Sequence, residues 1–308
     1  MPWESVLDQA TNYPTGPVRI FVGVPAGGPL DIAARLIAPW LSERLGQAFL
    51  VENLTGDHSN LAARAVLRAA PDGHSLLLSG PIYPINNALH PDLDFVFARD
   101  FLPVAGLFRV PLVVEVNPSV PIESAPELIA YARSNPGKLR LAYAGMGTPQ
   151  HVGIELFKSM AGVDFTLVPY PGSAAALADL LAGRADLMFD PMPSSAELAR
   201  SGKLRPLAVT SPKPSAALPG VPAMTDFVQG YEAGSWFGLN AHVETPAHVI
   251  ETLNTEINSG LGDPAIKARI AELGGIEIPG TPDAFAKFIA IETEKYERVV
   301  RAANIKAS

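Results

Sequence analysis

The chain has 308 residues, of which 48% are hydrophobic and 18% are charged, and its formal net charge is −8. This length allows two domains of ordinary size, and the composition excludes a disordered chain. The acidic balance, with no basic run longer than two residues, argues against a nucleic-acid binder. The lack of cysteine excludes disulfides, thiolate catalysis and cysteine-based metal sites.

Strand-like and helix-like segments alternate along the chain, which predicts an α/β fold with mostly parallel sheets. The predicted strands are 18–24, 49–52, 75–79, 103–107, 112–116, 139–142, 164–168, 187–189, 205–209 and 236–240. The predicted helices are 31–45, 60–69, 126–133, 151–160, 173–181, 194–201, 246–258, 264–273 and 282–303. Several of these helices begin at a residue suited to the first turn, such as Ser, Asp or Pro.

Two segments predict that the chain crosses between two lobes. The first is the extended Pro-rich stretch at 117–121, and the second is at 230–238, after the Pro-rich residues 212–222. We therefore expect a first lobe of residues 13–117 and 238–308 and a second lobe of residues 118–237. A two-lobed α/β protein places its ligand in the cleft between the lobes, at the carboxyl ends of strands.

The residues Pro25-Ala26-Gly27-Gly28-Pro29-Leu30-Asp31, here called the first glycine loop, join a predicted strand to a helix. Pro29 suits the first helical turn, where its missing N–H costs nothing. Adjacent glycines allow close approach, so free N–H groups and the positive helix end can face an anion. A tight turn without a ligand is the alternative. The candidate ligand-binding residues here are Pro25, Ala26, Gly27, Gly28, Pro29 and Asp31.

The residues Ala144-Gly145-Met146-Gly147-Thr148-Pro149-Gln150-His151, here called the second glycine loop, join another predicted strand and helix. Helix N-termini facing each other across a cleft would form two halves of a clamp for a carboxylate. Gly145, Gly147 and Thr148 are candidates, because the Thr148 hydroxyl adds a donor. His151 either donates to the ligand or makes a structural hydrogen bond to a loop carbonyl.

No pattern of a catalytic, metal-binding or membrane-spanning protein is found in the sequence. The six histidines form no His-Glu-x-x-His motif and no cluster with metal-ligand spacing. The serine of Gly234-Ser235-Trp236-Phe237-Gly238 lacks the spacing of a nucleophile elbow, and Gln150 replaces the third glycine of a dinucleotide fingerprint. No apolar run reaches about 18 residues, so we expect no membrane span. The sequence thus predicts no catalytic residue, metal or cofactor.

Short motifs extend from Tyr13-Pro14, Pro17 and Arg19 through the first glycine loop and onward. Further motifs lie at 41–47, 51–53, 70–73, 100–104, 157–163, 168–170, 183–190 and 207–211. In this order they resemble the Bug family, the substrate-binding proteins of tripartite tricarboxylate transporters, over essentially residues 13 to 306.

The resemblance implies a two-lobed periplasmic-binding-protein-like fold of type II. It implies a periplasmic, monomeric protein that closes over a small organic carboxylate and delivers it to membrane transporter subunits. The proximal carboxylate would lie between the two glycine loops, held by backbone amides and ordered water. The resemblance also places Asp190 and the turn Ser79-Gly80 at the far side of the pocket, with Gly172 and Ser173 as further donors. No signal sequence is present in the chain as written, and we expect that one was removed.

Three segments depart from the usual pattern of this family. In the first glycine loop, Ala26 and Pro29 stand where Pro and Ser are commoner. Residues 54–59, Leu-Thr-Gly-Asp-His-Ser, replace a glycine-rich loop, and Pro191 replaces an asparagine after Asp190. These changes favour an altered ligand with a less acidic or more aromatic distal end. Two other functions stay open: a ligand-sensing receptor for a membrane kinase and, less favoured, an α/β enzyme acting on an organic acid.

Overall fold

The structure is a computed structural model that describes residues 13–303 and residue 305. Residues 1–12, on which the expectation about a signal sequence falls, lie outside the described residues. So do residues 304 and 306–308, at the end of the predicted first lobe.

The described residues form ten strands and eleven helices. The strands are β1 (Val18–Val22), β2 (Phe49–Asn53), β3 (Ser75–Ser79), β4 (Phe101–Val116), β5 (Arg140–Tyr143), β6 (Thr166–Pro169), β7 (Leu187–Pro191), β8 (Arg205–Val209), β9 (Gly234–His242) and β10 (Ile276–Glu277). The helices are α1 (Pro29–Leu45), α2 (Asn60–Arg68), α3 (Ile82–Leu89), α4 (Phe97–Asp100), α5 (Ala125–Ser134), α6 (Pro149–Ala161), α7 (Ser173–Leu181), α8 (Met192–Arg200), α9 (Ala247–Gly262), α10 (Pro264–Glu272) and α11 (Pro282–Ala302). Short 3₁₀ turns lie at Asp57–Ser59 and Met224–Asp226.

All nine predicted helices are present, and their ends have local causes. Gly46 stops α1 in the left-handed conformation, at φ 69°, and its N–H donates to the carbonyl of Ser42. The Thr281 hydroxyl accepts from the N–H of Ala284 and caps α11. Helices α3 and α4 were not predicted, because α3 contains Pro84 and two asparagines and α4 has only four residues.

The strands follow the order β2-β1-β3-β9-β4-β7-β5-β6, and β8 and β10 also pair with β4. Strand β1 is parallel to β2 and β3, and β5 is parallel to β6 and β7. The predicted parallel pairing therefore holds for these outer strands. Strands β4 and β9 pair antiparallel with their neighbours, because the chain crosses between the lobes once in each direction.

Strand β4 is the main connection between the two halves of the sheet. The sequence predicted two strands here, but one strand of 16 residues runs through both. Its part from Phe101 to Pro111 pairs with β9, and its part from Leu112 to Val116 pairs with β7 and β8. The predicted residue limits of the lobes remain a prediction; the exchange of pairing partners occurs at Pro111 and Gly234.

Each half of the sheet has its own apolar core. In the first half, α1 and α9 cover one face, and α2 and α11 cover the other. In the second half, α5 and α6 cover β5 and β7. A further buried cluster combines Ile85 of α3, Val152 of α6 and Tyr296 of α11, so α11 packs against both halves. The carboxyl ends of β1 and β5, where the glycine loops begin, lie on different halves.

Candidate functional site

The two glycine loops have nearly the same backbone conformation. Gly27 and Gly147 occupy equivalent positions with φ values of 83° and 72°. The next residues, Gly28 and Thr148, are extended helix N-caps with φ/ψ of −74°/164° and −78°/158°, and a proline follows each. Positive φ favours glycine, because a Cβ atom in this region is strained. The sequence pattern therefore encodes one local structure twice, once in each lobe.

In both loops the glycine two residues before the proline donates its N–H to the side chain four residues later. The N–H of Gly27 lies 2.9 Å from Oδ2 of Asp31, and the N–H of Gly147 lies 3.3 Å from Nδ1 of His151. The N–H of Gly28 donates to the carbonyl of Pro25 at 3.2 Å. The amides of Gly27, Gly28 and Gly147, which the sequence suggested as ligand donors, are thus engaged within the loops.

Asp31 is buried beneath the first glycine loop and fixes its shape. Besides Gly27, its carboxylate accepts from Nε of Arg35 at 2.9 Å and from Nδ2 of Asn53 at 2.9 Å. Asn53 also donates to the carbonyl of Val24 at 2.9 Å. Burial raises the pKa of Asp31, but the hydrogen bonds from Arg35, Gly27 and Asn53 outweigh burial and hold the pKa below its ordinary value. Asp31 therefore stays ionised and holds the loop.

Amides without a protein acceptor lie at the two helix starts. Within the described residues, no protein group accepts from the N–H of Leu30, Asp31 or Gln150. The first N–H groups of a helix have no partner within it and carry its positive end. Near the N–H groups of Leu30 and Asp31, the loop residues Pro25, Ala26 and Gly27 are exposed. These groups can therefore donate to an anion between the lobes.

Thr148 and His151 serve the second glycine loop itself. The Thr148 hydroxyl donates to the carbonyl of Gly145 at 2.8 Å and accepts from the N–H of His151 at 3.3 Å. The buried His151 ring stacks on Tyr143, with centroids 5.0 Å apart. Burial lowers the pKa of His151, which keeps the ring neutral and able to accept from Gly147. Of the two roles left open for His151, the structure shows a structural hydrogen bond, made to an amide rather than to a carbonyl.

Residues 57–59 connect the two glycine loops through α3. Asp57, His58 and Ser59 all have positive φ, at 47°, 53° and 73°. The carbonyl of His58 accepts from Nδ2 of Asn86 at 2.6 Å, and the His58 and His90 rings lie 5.2 Å apart. A Cβ atom on Gly23, just before the first loop, would lie 2.5 Å from Cβ of Ser59, and one on Gly147 would lie 2.9 Å from Leu89. The two glycine loops and residues 57–59 therefore border one region.

Asp190 lies at the end of β7 and is fully buried. Its Oδ1 accepts from Nε2 of Gln150 at 2.6 Å, and its Oδ2 accepts from the hydroxyls of Ser194 and Ser195. Burial raises the pKa of Asp190 to about 6, against the effect of these hydrogen bonds. Gln150 also donates to the Ser173 hydroxyl at 2.9 Å.

The remaining candidates have clear positions. Ser79 is buried, and its hydroxyl lies 2.6 Å from Oδ1 of Asn240 on β9, so it is committed to the sheet. Gly80 allows close approach, since a Cβ there would lie 2.9 Å from the carbonyl of Trp236. Gly172 is the N-cap of α7, in extended conformation with φ 163° and open space around it. Whether any of these residues touches a ligand stays a prediction.

Sequence reasoning missed Gln150, Glu115 and Asn53. The signal for Glu115 was its position as a lone carboxylate in the apolar run Leu112–Val116. The signal for Asn53 was the motif Val51-Glu52-Asn53, which was noted without a role. Among the described residues, no group of three His, Asp or Glu side chains is placed to hold a metal ion. None of the helices in the described part of the chain is both long and apolar enough to cross a membrane.

Two lobes, each with unpartnered amides at a helix start that follows a glycine loop, are typical of a solute-binding protein. The family model of the tripartite tricarboxylate transporter family receptor, TctC, matches residues 33–305, and the chain belongs to this family. The Bordetella pertussis protein BugT is 34% identical over 302 residues, covering 96% of this chain and 92% of BugT. The resemblance found in the sequence is confirmed.

Solved structures of similar proteins have the same fold. An R. palustris protein solved with adipate is 36% identical, with a TM-score of 0.90 over 96% of this chain and 99% of that one. MatC from Rhodopseudomonas palustris, solved with bound malate, is 30% identical, with a TM-score of 0.85 over 94% of this chain and 100% of MatC. The predicted two-lobed α/β fold is therefore confirmed.

Proposed function

We propose that this protein is a periplasmic solute-binding protein that captures a small organic carboxylate between its lobes. It delivers the acid to the membrane subunits of a tripartite tricarboxylate transporter and acts as a monomer. The observation that carries the proposal is the pair of equivalent glycine loops, each of which presents unpartnered helix-start amides. Membership of the TctC family and the adipate and malate of the similar structures support a carboxylate as the ligand.

The donors at the two helix starts agree with this ligand class. A carboxylate needs two or more donors on its oxygens, and the free amides of Leu30, Asp31 and Gln150 supply them from both lobes. Ligand that bridges the lobes stabilises the closed population by its additional contacts there. The side chains of Asp31, Thr148 and His151 form hydrogen bonds with backbone groups of the loops. This arrangement suits a protein that binds its ligand without changing it chemically.

Calorimetric titration with adipate, malate and the neutral diamide of adipic acid tests the proposal. We expect at least one of the two acids to bind and the diamide, which has the same carbon chain, to bind at least about a hundredfold more weakly, because the loss of charge-assisted hydrogen bonds is costly. Equal affinity for adipate and its diamide would contradict carboxylate recognition. Conversion of a bound acid to a product, seen by mass spectrometry, would contradict a binding function.

A further inference from the structure

Asp190 and Glu115 form a buried pair of carboxyl groups that the clamp itself does not use. Ser195 connects them: its hydroxyl lies 2.6 Å from Oε1 of Glu115 and 3.1 Å from Oδ2 of Asp190. Both residues are fully buried, and within the described residues neither carboxyl forms an ion pair with a lysine or arginine. Buried charge without a cation must be stabilised by hydrogen bonds.

The number of protons shared by Glu115, Ser195 and Asp190 indicates that the two carboxyl groups together have one negative charge. A hydroxyl has a single proton, so Ser195 donates to only one of the two carboxyl groups. If Glu115 is protonated, it donates to Ser195, and Ser195 donates to Asp190. The other oxygen of Glu115, Oε2, has no partner among the described residues, which is less costly for a neutral acid than for an anion. Burial, and then the charge of Asp190, raises the pKa of Glu115 well above its ordinary value.

The charge on Asp190 acts on the second glycine loop through Gln150. The Gln150 amide donates from Nε2 to Asp190 at 2.6 Å, which fixes which end of the amide points toward β7. Its other end, Oε1, then accepts from the N–H of Ala144, the first residue of the loop, at 3.1 Å. A side-chain amide beside a carboxylate has one favoured orientation. Its nitrogen donates to the carboxylate, whereas its oxygen in the same place would be repelled by the negative charge.

We propose that Asp190 is a positioning residue: its ionised carboxylate, supported by Ser194, Ser195 and the proton of Glu115, orients Gln150, which holds the second glycine loop in its binding conformation. This role rests on the proposed function of the loop. It replaces the expectation that Asp190 contacts the ligand at the far side of the pocket, since the carboxylate is fully buried and its two oxygens accept from Gln150, Ser194 and Ser195.

The titratable groups around Asp190 come from two neighbouring elements. Glu115 faces it from β4, and His151, on α6 beside Gln150, bonds to Gly147 instead of to the pair. From α7 and α8, the described groups that hydrogen-bond to Asp190 are the hydroxyls of Ser173, Ser194 and Ser195. His151 remains in every variant below, so its own titration cancels when a variant is compared with wild type.

Amide hydrogen exchange of the ligand-free protein tests the positioning directly. Asp190→Asn is expected to speed exchange in the segment 144–148 by about three- to tenfold, because a charge-assisted hydrogen bond becomes a neutral one. Gln150→Met, which removes the side-chain bonds to Asp190, Ala144 and Ser173, is expected to speed exchange at least about tenfold. The control is Asp186→Asn, a carboxylate just before β7 that accepts from the N–H of Arg140 at 2.7 Å. Unchanged exchange in 144–148 in both Asp190→Asn and Gln150→Met would overturn the proposal.

Affinity at two pH values separates positioning from a simple loss of structure. We expect Asp190→Asn to raise the Kd for adipate or malate by about tenfold at pH 7.5. Near pH 5, where wild-type Asp190 is itself protonated, the ratio of the two Kd values should approach one, and titration of the ligand cancels in this ratio. The same ratio at both pH values would contradict the proposal. If neither acid binds the wild type, the proposed ligand class fails, while the exchange experiment still decides the role of Asp190.

Discussion

Replacement of Gly27 by alanine tests whether the first glycine loop binds the ligand. Gly27 has φ 83°, and a Cβ atom there would meet nothing within 4 Å, so the cost is backbone strain alone. A non-glycine residue in this region costs about 1–2 kcal/mol, and the reduced freedom of the unfolded chain offsets about 0.4–1 kcal/mol of it. We therefore expect Gly27→Ala to lower the free energy of unfolding by about 1 kcal/mol.

Gly202 offers a matched control in the turn between α8 and β8. It has φ 72°, its Cβ position is equally open, and it is remote in sequence from both glycine loops. Gly202→Ala should cost the same stability, measured by urea unfolding. Only Gly27→Ala should weaken binding, by about tenfold or more, because relief of the strain turns the amides of Leu30 and Asp31 away from the ligand. Equal Kd values for the two variants, measured by calorimetry, would refute a binding role for the loop.

Three further predictions concern the side chains of the site. The folded chain retains the proton of Asp190 up to about pH 6 and the unfolded chain only to about 3.8, so stability falls as pH rises across this window, by about 3 kcal/mol. The stability of Asp190→Asn, measured by urea unfolding, should lack this fall. The same pH dependence of stability in Asp190→Asn and wild type would contradict the prediction. Thr148→Ala and the matched Thr281→Ala should each cost about 1 kcal/mol as lost N-caps, and only the first should weaken binding. His58→Gly should leave stability unchanged or raise it by up to about 1 kcal/mol, since φ 53° strains histidine; a loss of thermal stability would contradict this.

Local sequence signals were sufficient for the main elements of the fold. The glycine loops were found because strand, glycine, proline and helix follow one another within a dozen residues, so neighbours in sequence determine their conformation. The same applies to α7 and β8, whose bounds match the prediction. The continuous β4 was not predicted, because Arg109 and Pro111 interrupt the apolar pattern, although pairing with β9 keeps them in one strand.

The chemistry of the site depended on contacts that the sequence does not display. Asp31 was taken as a ligand contact, but its partners include Asn53, which is 22 residues away. Gln150 was noticed only as a missing glycine, yet it connects the loop to Asp190, 40 residues further on. The direction of a side chain, toward the cleft or beneath the loop, is set by packing of distant elements, and a single sequence contains no direct record of it.

The structure of the complex with adipate or malate, determined by crystallography, tests the central claim most directly. We expect one carboxylate of the acid to lie between the glycine loops, within hydrogen-bond distance of helix-start amides of both lobes or of waters bound to them. A ligand bound to one lobe only, or seated in the groove beside α11 between Arg109 and Lys295, would contradict the two-loop clamp.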